Sequence, residues 1–290
     1  MIWFVVVRLG QLLATVVLTA LLAFWLCGPV SGAREITGGA FGWLGHLLVG
    51  DFGRTANGDV GAALGGALAV TLPLVLFALI LATAIGGGLG WAAALRPGSL
   101  TDRLLAAVAE IGAAVANFWL GLLLVLGFAG GLHWLPAAGF VPWTDDALQA
   151  IVSLLLPALA LALPAAAAIA LDARAALSEA RQSLPVEAAQ LRGLDAETAF
   201  RRHGLRLALL ELSPALALHA AALIAGAMIV EAAFSLPGLG RLILVAVSAH
   251  DAATLRAGLL VLVLLIAGTV FLVRVCAGSA DPRLTVETPE

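Results

Sequence analysis

The side chains that could do chemistry in this sequence are few, and their spacing excludes most reactions. All 15 basic residues are Arg and Lys is absent, so neither a Walker A phosphate loop nor a Schiff-base lysine can be built. Cys27 and Cys276 lie far apart in apolar surroundings, without a CxxC neighbour or a nearby His, which leaves no redox or metal motif. His46, His133, His219 and His250 are scattered and give no ligand set for nickel or any other metal, so no cofactor is expected. Two groups of residues remain. Glu110, His219 and Glu231 sit inside long apolar stretches, where an ionisable group is by default a candidate for a translocation path. The second group is a charged segment, Asp172 to Glu211, which holds 12 of the 33 charged residues.

That segment carries helical punctuation. Ser183 and Pro185 can open a helix, and Glu187 then sits near the positive end of its dipole. Ala188, Ala189, Gln190 and Leu191 favour helix, and Gly193 can end it by taking φ > 0. Asp195 suits the N-cap of a second helix through Phe200, Arg201, Arg202, His203 and Arg206. The spacing predicts two short helices joined at Gly193, a compact knob. On spacing alone, a solvated loop that only fixes orientation is the other reading.

The elements that position these residues follow from composition. With 62% hydrophobic and 11% charged residues, the chain departs from the roughly 45–50% and roughly 25% of soluble domains. A soluble globule and a disordered chain are both excluded, and a net charge of −3 gives no basic field for nucleic acid. Six apolar stretches reach the ~20 residues needed to cross a bilayer. They run from about Leu9 to Val30, Leu68 to Leu95, Leu104 to Gly130, Gln149 to Leu171, Pro214 to Phe234 and Leu255 to Ala277. The expectation is an all-α polytopic membrane helical bundle of six transmembrane helices, a single transmembrane domain over 1–290. Its extracytoplasmic region would be 31–67, and its cytoplasmic loop 172–213.

With the N-terminus inside, the inner segments hold eleven Arg and the outer ones four, namely Arg34, Arg54, Arg241 and Arg256. The positive-inside rule then puts both termini in the cytoplasm. On the outer side, the run Phe41-Gly42-Trp43-Leu44-Gly45-His46-Leu47-Leu48 is apolar but too short to span, and Trp134 and Trp143 suit the headgroup region. Pro237-Gly238-Leu239-Gly240-Arg241 reads as a turn leading into a short outer helix.

Glu187-Ala188-Ala189-x-x-x-Gly193 resembles the EAA motif of the membrane-spanning subunits of bacterial ABC importers. More narrowly, the chain resembles the dipeptide/oligopeptide/nickel permease family. The resemblance runs through Arg8-Leu9-x-Gln11, Gly50-Asp51-Phe52-Gly53-Arg54-Thr55, Phe118-Trp119-Leu120-Gly121 and Trp134-Leu135-Pro136-x-x-Gly139. It continues through Arg202-His203-Gly204-Leu205-Arg206, Val230-Glu231-x-x-Phe234-x-x-Pro237-Gly238-Leu239-Gly240-Arg241 and Asp281-Pro282-Arg283. The region between the first span and the Gly-Asp-Phe-Gly run is shorter than is usual in that family.

The resemblance implies a type I ABC importer permease fold in the bacterial inner membrane. It implies a second permease subunit, in a heterodimer, with ATP-binding subunits that carry the ATPase activity and an extracytoplasmic solute-binding protein that delivers a peptide, metal chelate or similar solute. Glu187, Ala188, Ala189 and Gly193 would form the coupling helix against the ATPase, flanked by Arg192, Asp195, Arg201, Arg202, His203 and Arg206. The small residues at 188 and 189 would allow close approach. The rival readings are an ion-coupled secondary transporter, which would show inverted repeats and midplane carboxylates, and a membrane enzyme, which would need a catalytic cluster.

Overall fold

The computed structural model describes residues 2–26, 45, 51–55, 58–95 and 97–280. Cys27, Arg34, Arg96, most of the outer run 41–48 with His46, and Asp281-Pro282-Arg283 lie outside the described residues. The order of elements is α1 (Ile2–Leu26), β1 (Arg54–Thr55), β2 (Gly58–Asp59), α2 (Val60–Ala94), α3 (Leu100–Ala114) and α4 (Asn117–Leu124), the last continuing as a π-helical turn, Val125–Gly131. Then follow α5 (Ala147–Arg181), α6 (Leu184–Leu191), α7 (Ala196–Ala199), a second π-helical turn (Phe200–Gly204), α8 (Leu205–Ala233), α9 (Leu239–Ser248) and α10 (Ala252–Ala280). The two-residue strands pair antiparallel, Arg54 opposite Asp59, and the Asp59 carboxylate caps α2 by accepting the Gly61 N–H.

Helix α5 is the axis of the bundle. Leu154, Ala158, Leu161, Ala162 and Ala166 are all buried, and α2, α3 and α8 pack around them. Small residues let the backbones close up. A Cβ at Gly86 would collide with the Ala166 carbonyl, and one at Gly90 would stand 2.7 Å from the Ala170 carbonyl, so this Gly-x-x-x-Gly face of α2 lies directly on α5. Pro73, Pro157, Pro164 and Pro214 all sit inside continuous helices, as neighbouring helices allow in a membrane bundle. Leu239, Ile243, Ala257 and Val261 form a second core between α9 and α10, joined by Val60 and Leu64 of α2, and α1 packs along α10.

Among the described residues, four helices are long and apolar enough to cross a membrane: Val60–Ala94, Ala147–Arg181, Ala196–Ala233 and Ala252–Cys276. The third apolar stretch does not cross as one helix. Its two halves, Asp102–Ala114 and Asn117–Gly131, meet at 99° because Val115 and Ala116 take extended backbone conformations. Packing on both sides explains a break that no Pro announces. Gly112 abuts Ala167 of α5, and Asn117 abuts Gly226 of α8, so the two halves follow different neighbours. In the first stretch, Val7–Ala23 is apolar helix shorter than those four.

The charged segment also differs from the expected forty-residue loop. Helix α5 runs on to Arg181, and the apolar fifth stretch belongs to a helix that already begins at Ala196 and continues through the second π-helical turn to Ala233. The charges begin where the apolar stretches end, and both helices continue beyond that point. Glu211 therefore lies within α8.

Candidate functional site

The knob between α5 and α8 forms as its punctuation predicts, with one helix fewer standing free. Ser183 precedes α6, with Pro185 in the first turn, and the Ser183 hydroxyl donates back to the Ala180 carbonyl at 2.7 Å. Gly193 ends α6 at φ 94°, donating its N–H to the Gln190 carbonyl, while the Arg192 Nε caps the Ala188 carbonyl at 3.2 Å. The Asp195 carboxylate accepts the Thr198 N–H at 3.0 Å and opens α7, and these hydrogen bonds hold its carboxyl below the usual carboxylate range.

The two faces of α6 have different fates. Val186 and Ala189 are buried against Ala199, with Leu194 alongside. Ala189 thus packs inward on its own chain, so of the two small residues expected to allow close approach only Ala188 stands on the outward face. The outward face is Leu184, Glu187, Ala188 and Leu191, at i, i+3, i+4 and i+7, with Leu184 80% and Leu191 90% exposed.

The knob is fastened to the bundle from behind. The Arg181 guanidinium, at the end of α5, lies over the buried Phe200 ring and 3.6 Å from Glu197, which also pairs with Arg201 at 2.8 Å. Phe200 in turn tilts against Trp91 of α2, ring centroids 6.1 Å apart. Gly204 closes the joint, since a Cβ there would stand 2.6 Å from Phe200 and 3.0 Å from Val186. Arg202, His203 and Arg206 lie on the exposed side of this turn. Arg181, Phe200 and Gly204 were not singled out by spacing, although the aromatic residue and the Gly both fall in the segment already under suspicion.

The three intramembrane candidates are not brought together. Glu110 lies exposed on α3. His219 faces α5, where its Nε2 stands 2.6 Å from Asp172 Oδ2. Glu231 sits twelve residues further along α8, about 18 Å at helical rise, and is sealed from open space at 0% exposure. Its Oε1 accepts the Thr71 hydroxyl at 2.6 Å and its Oε2 the Gly240 N–H at 2.7 Å. Glu231 therefore lines no path within this chain, because its carboxylate is wholly used by α2 and α9. An ion pair between the buried Asp102 and the partly exposed Arg174 ties α3 to α5, the Arg174 Nη2 donating to Asp102 Oδ2 at 2.9 Å. Among the described residues no group of three or more His, Cys, Asp or Glu could hold a metal.

Residues 84–286 match the family model described as binding-protein-dependent transport system inner membrane component. A Brucella abortus protein named as a peptide transport system permease is 32% identical over 244 residues, covering 83% of this chain and 78% of that protein. The peptide transport system permease protein SapB of Salmonella typhimurium is 31% identical over 292 residues, covering 90% of this chain and 91% of its own length. SapB of Escherichia coli K12, named as a putrescine export system permease protein, is 30% identical over 291 residues and covers 90% of each chain.

Proposed function

The chain belongs to the family of binding-protein-dependent transport system inner membrane components, as a permease subunit of the ABC importer type, and from that premise we propose that α6 is the helix through which a separate ATPase drives it. The observation that carries this reading is the outward face of α6. Leu184 and Leu191 stand almost fully exposed on either side of Glu187, while the opposite face is clamped to the bundle. Exposed apolar side chains on a rigid, water-facing helix are what a groove in a partner receives. The chain has no Lys and so no phosphate loop of its own, which supports a reading in which nucleotide chemistry belongs to another subunit.

In this reading Glu187, Ala188 and Leu191 meet the ATPase, Arg192, Gly193 and Asp195 shape the turn behind them, and Arg201, Arg202, His203 and Arg206 border the contact. A second permease subunit completes the path, which gives a heterodimer with two ATP-binding subunits, and both termini are cytoplasmic. An extracytoplasmic binding protein brings the solute. Two of the relatives named above carry peptide transport in their names and one putrescine export. We infer peptide import for this chain, with the nickel chelate reading second.

The experiment is reconstitution of the chain with its partner subunits in proteoliposomes. Glu187→Lys and Gly193→Asp should insert normally yet abolish ATP-driven uptake. Wild-type uptake by both variants, or uptake by the chain alone without ATP, overturns the coupling assignment. Calorimetry on the cognate binding protein with di- and oligopeptides, and with a nickel chelate, decides the solute.

A further inference from the structure

Glu231 is the most deeply buried charged side chain among the described residues, and it sits where three elements converge. Thr71 of α2 donates to one carboxylate oxygen, and Gly240, in the first turn of α9, donates its N–H to the other. The Thr71 oxygen in turn accepts the Leu239 N–H at 2.8 Å. The unpaired N–H groups of the first turn of α9 are thus satisfied by Glu231 and Thr71, and the carboxylate lies at the positive end of the helix dipole. The surrounding backbone is shaped to this joint. A Cβ at Gly238 would overlap the Glu231 carboxyl, and one at Gly240 would overlap Met228 of α8. Arg241 adds a bond across the same corner, its Nη1 donating to the Ser235 carbonyl at 2.7 Å.

Glu231 is also at one end of a single strut. The helix Ala196–Ala233 has 38 residues, about 57 Å at 1.5 Å per residue. Its other end is the Phe200–Gly204 turn that clamps α6.

We propose that Glu231 is a positioning residue that locks the outer helix α9 to α8, so that α9 moves as one body with the strut whose inner end carries the coupling helix. The state of the motor at α6 then reaches the outer mouth without an intervening hinge. The outer corner Ser235–Gly238 and the exposed side of α9 present the surface whose position the binding protein reads. This proposal rests on the reading of α6 as the ATPase-docking helix.

The test uses the assembled transporter in lipid nanodiscs, with ATP hydrolysis measured without and with the ligand-loaded binding protein, and uptake measured in proteoliposomes. Glu231→Gln replaces an acceptor oxygen with an amide donor, and Thr71→Val removes the bridging hydroxyl with little change of volume. Both should leave basal hydrolysis within about twofold of wild type, while stimulated hydrolysis and uptake fall by about tenfold, the size of a typical coupling between sites. Glu231→Asp should recover part of the loss. A spin-label pair at Glu211→Cys and Ser248→Cys, with Cys27 and Cys276 replaced by Ser, should give one narrow distance with and without ATP. In the Glu231→Gln background that distribution should broaden. Wild-type stimulation in both Glu231→Gln and Thr71→Val overturns the proposal. So does loss of basal hydrolysis together with assembly in both, which would make the joint a folding element only. Absence of ATP-driven uptake by the wild-type complex is a different failure, and it removes the docking reading beneath the proposal.

Discussion

The Arg181 guanidinium lies 4.2 Å from the centroid of the Phe200 ring, so the end of α5 rests on the base of the knob between α5 and α8. The contact joins α5, the knob and, through Trp91, the C-terminal end of α2. A planar guanidinium can stack on a ring while keeping an edge for Glu197, which an ammonium cannot do. Arg181→Lys should therefore keep the charge and lose the stacking. The expected result is normal insertion with less solute carried per ATP hydrolysed. Phe200→Ala should be worse, because deleting a fully buried aromatic ring costs about 3–5 kcal/mol. It should lower the thermal midpoint of the detergent-solubilised protein. Equal transport stoichiometry in Arg181→Lys and wild type would show the stack to be idle.

Gly193 and Gly204 bracket the knob for different reasons, and substitution separates them. Gly193 has open space around it and needs only its φ of 94°, so Gly193→Ala strains the backbone by roughly 1–2 kcal/mol. Gly204 has ordinary backbone angles but no room, since a methyl group would press on Phe200, Val186 and the Ala180 carbonyl. Gly204→Ala is overpacking at about 1–3 kcal/mol, and it pushes α6 away from the bundle. Gly204→Ala should reduce ATP-driven uptake more than Gly193→Ala when both are measured at equal membrane abundance.

What the sequence disclosed, and what it hid, follows from range. Local rules placed the start of α6 at Ser183, its end at Gly193 and the cap at Asp195, because each depends on neighbours within four residues. The inward turn of Ala189 was also readable, since it stands one helical turn after Val186 and shares its apolar face. Other features depend on distant partners. Glu231 is explained by Thr71, 160 positions away, and His219 by Asp172, 47 away, and no spacing rule reaches that far. Hydropathy misplaced the ends of α5 and α8 for a physical reason. It reports the thickness of hydrocarbon, and both helices outrun it. The right-angled break at Val115 has no local signal at all, since it is imposed by α5 on one side and α8 on the other.

The Asp172 and His219 side chains form a pair between α5 and α8, with Asp172 44% and His219 17% exposed. A half-exposed carboxylate on a spanning helix is costly against lipid, so the face that carries Asp172 suits water or a covering subunit. If it acts as a unit in the path, Asp172→Asn and His219→Gln should each lower uptake, and the double variant should be little worse than either single one. The expected interaction energy is about 0.5–3 kcal/mol, as for residues in contact. Additive losses in uptake across this cycle would show that the two residues work separately.

Asp195 offers a pH test with a defined sign. Its carboxyl titrates below the usual range because the charged form accepts hydrogen bonds at Thr198. A group with a depressed folded pKa contributes stability that is complete above its unfolded pKa and is lost as pH falls through the folded one. Between pH 7 and pH 5 the start of α7 should therefore stay intact, with the Thr198 amide equally protected from hydrogen exchange. Asp195→Ala should raise that exchange rate at both pH values, and Asp195→Asn should largely restore protection. Loss of protection in wild type near pH 5 would contradict the capping role.

The outward face of α6 gives the sharpest prediction, because its two leucines have no structural task in this chain. Leu184 and Leu191 are 80% and 90% exposed, so replacing them removes almost no packing from the permease itself. Substitutions at exposed positions without special backbone usually change stability by less than about 0.5 kcal/mol. A partner that buries them would lose far more, since each fully buried Leu is worth about 1.5–3 kcal/mol. Leu184→Ser and Leu191→Ser should leave the thermal midpoint of the isolated permease unchanged and should weaken capture of the ATPase subunit by about tenfold or more each. Val186→Ser, on the buried face, should do the reverse first, lowering the midpoint of the permease before any partner is added. If Leu184→Ser and Leu191→Ser bind the ATPase as wild type does, the groove receives some other face of the knob.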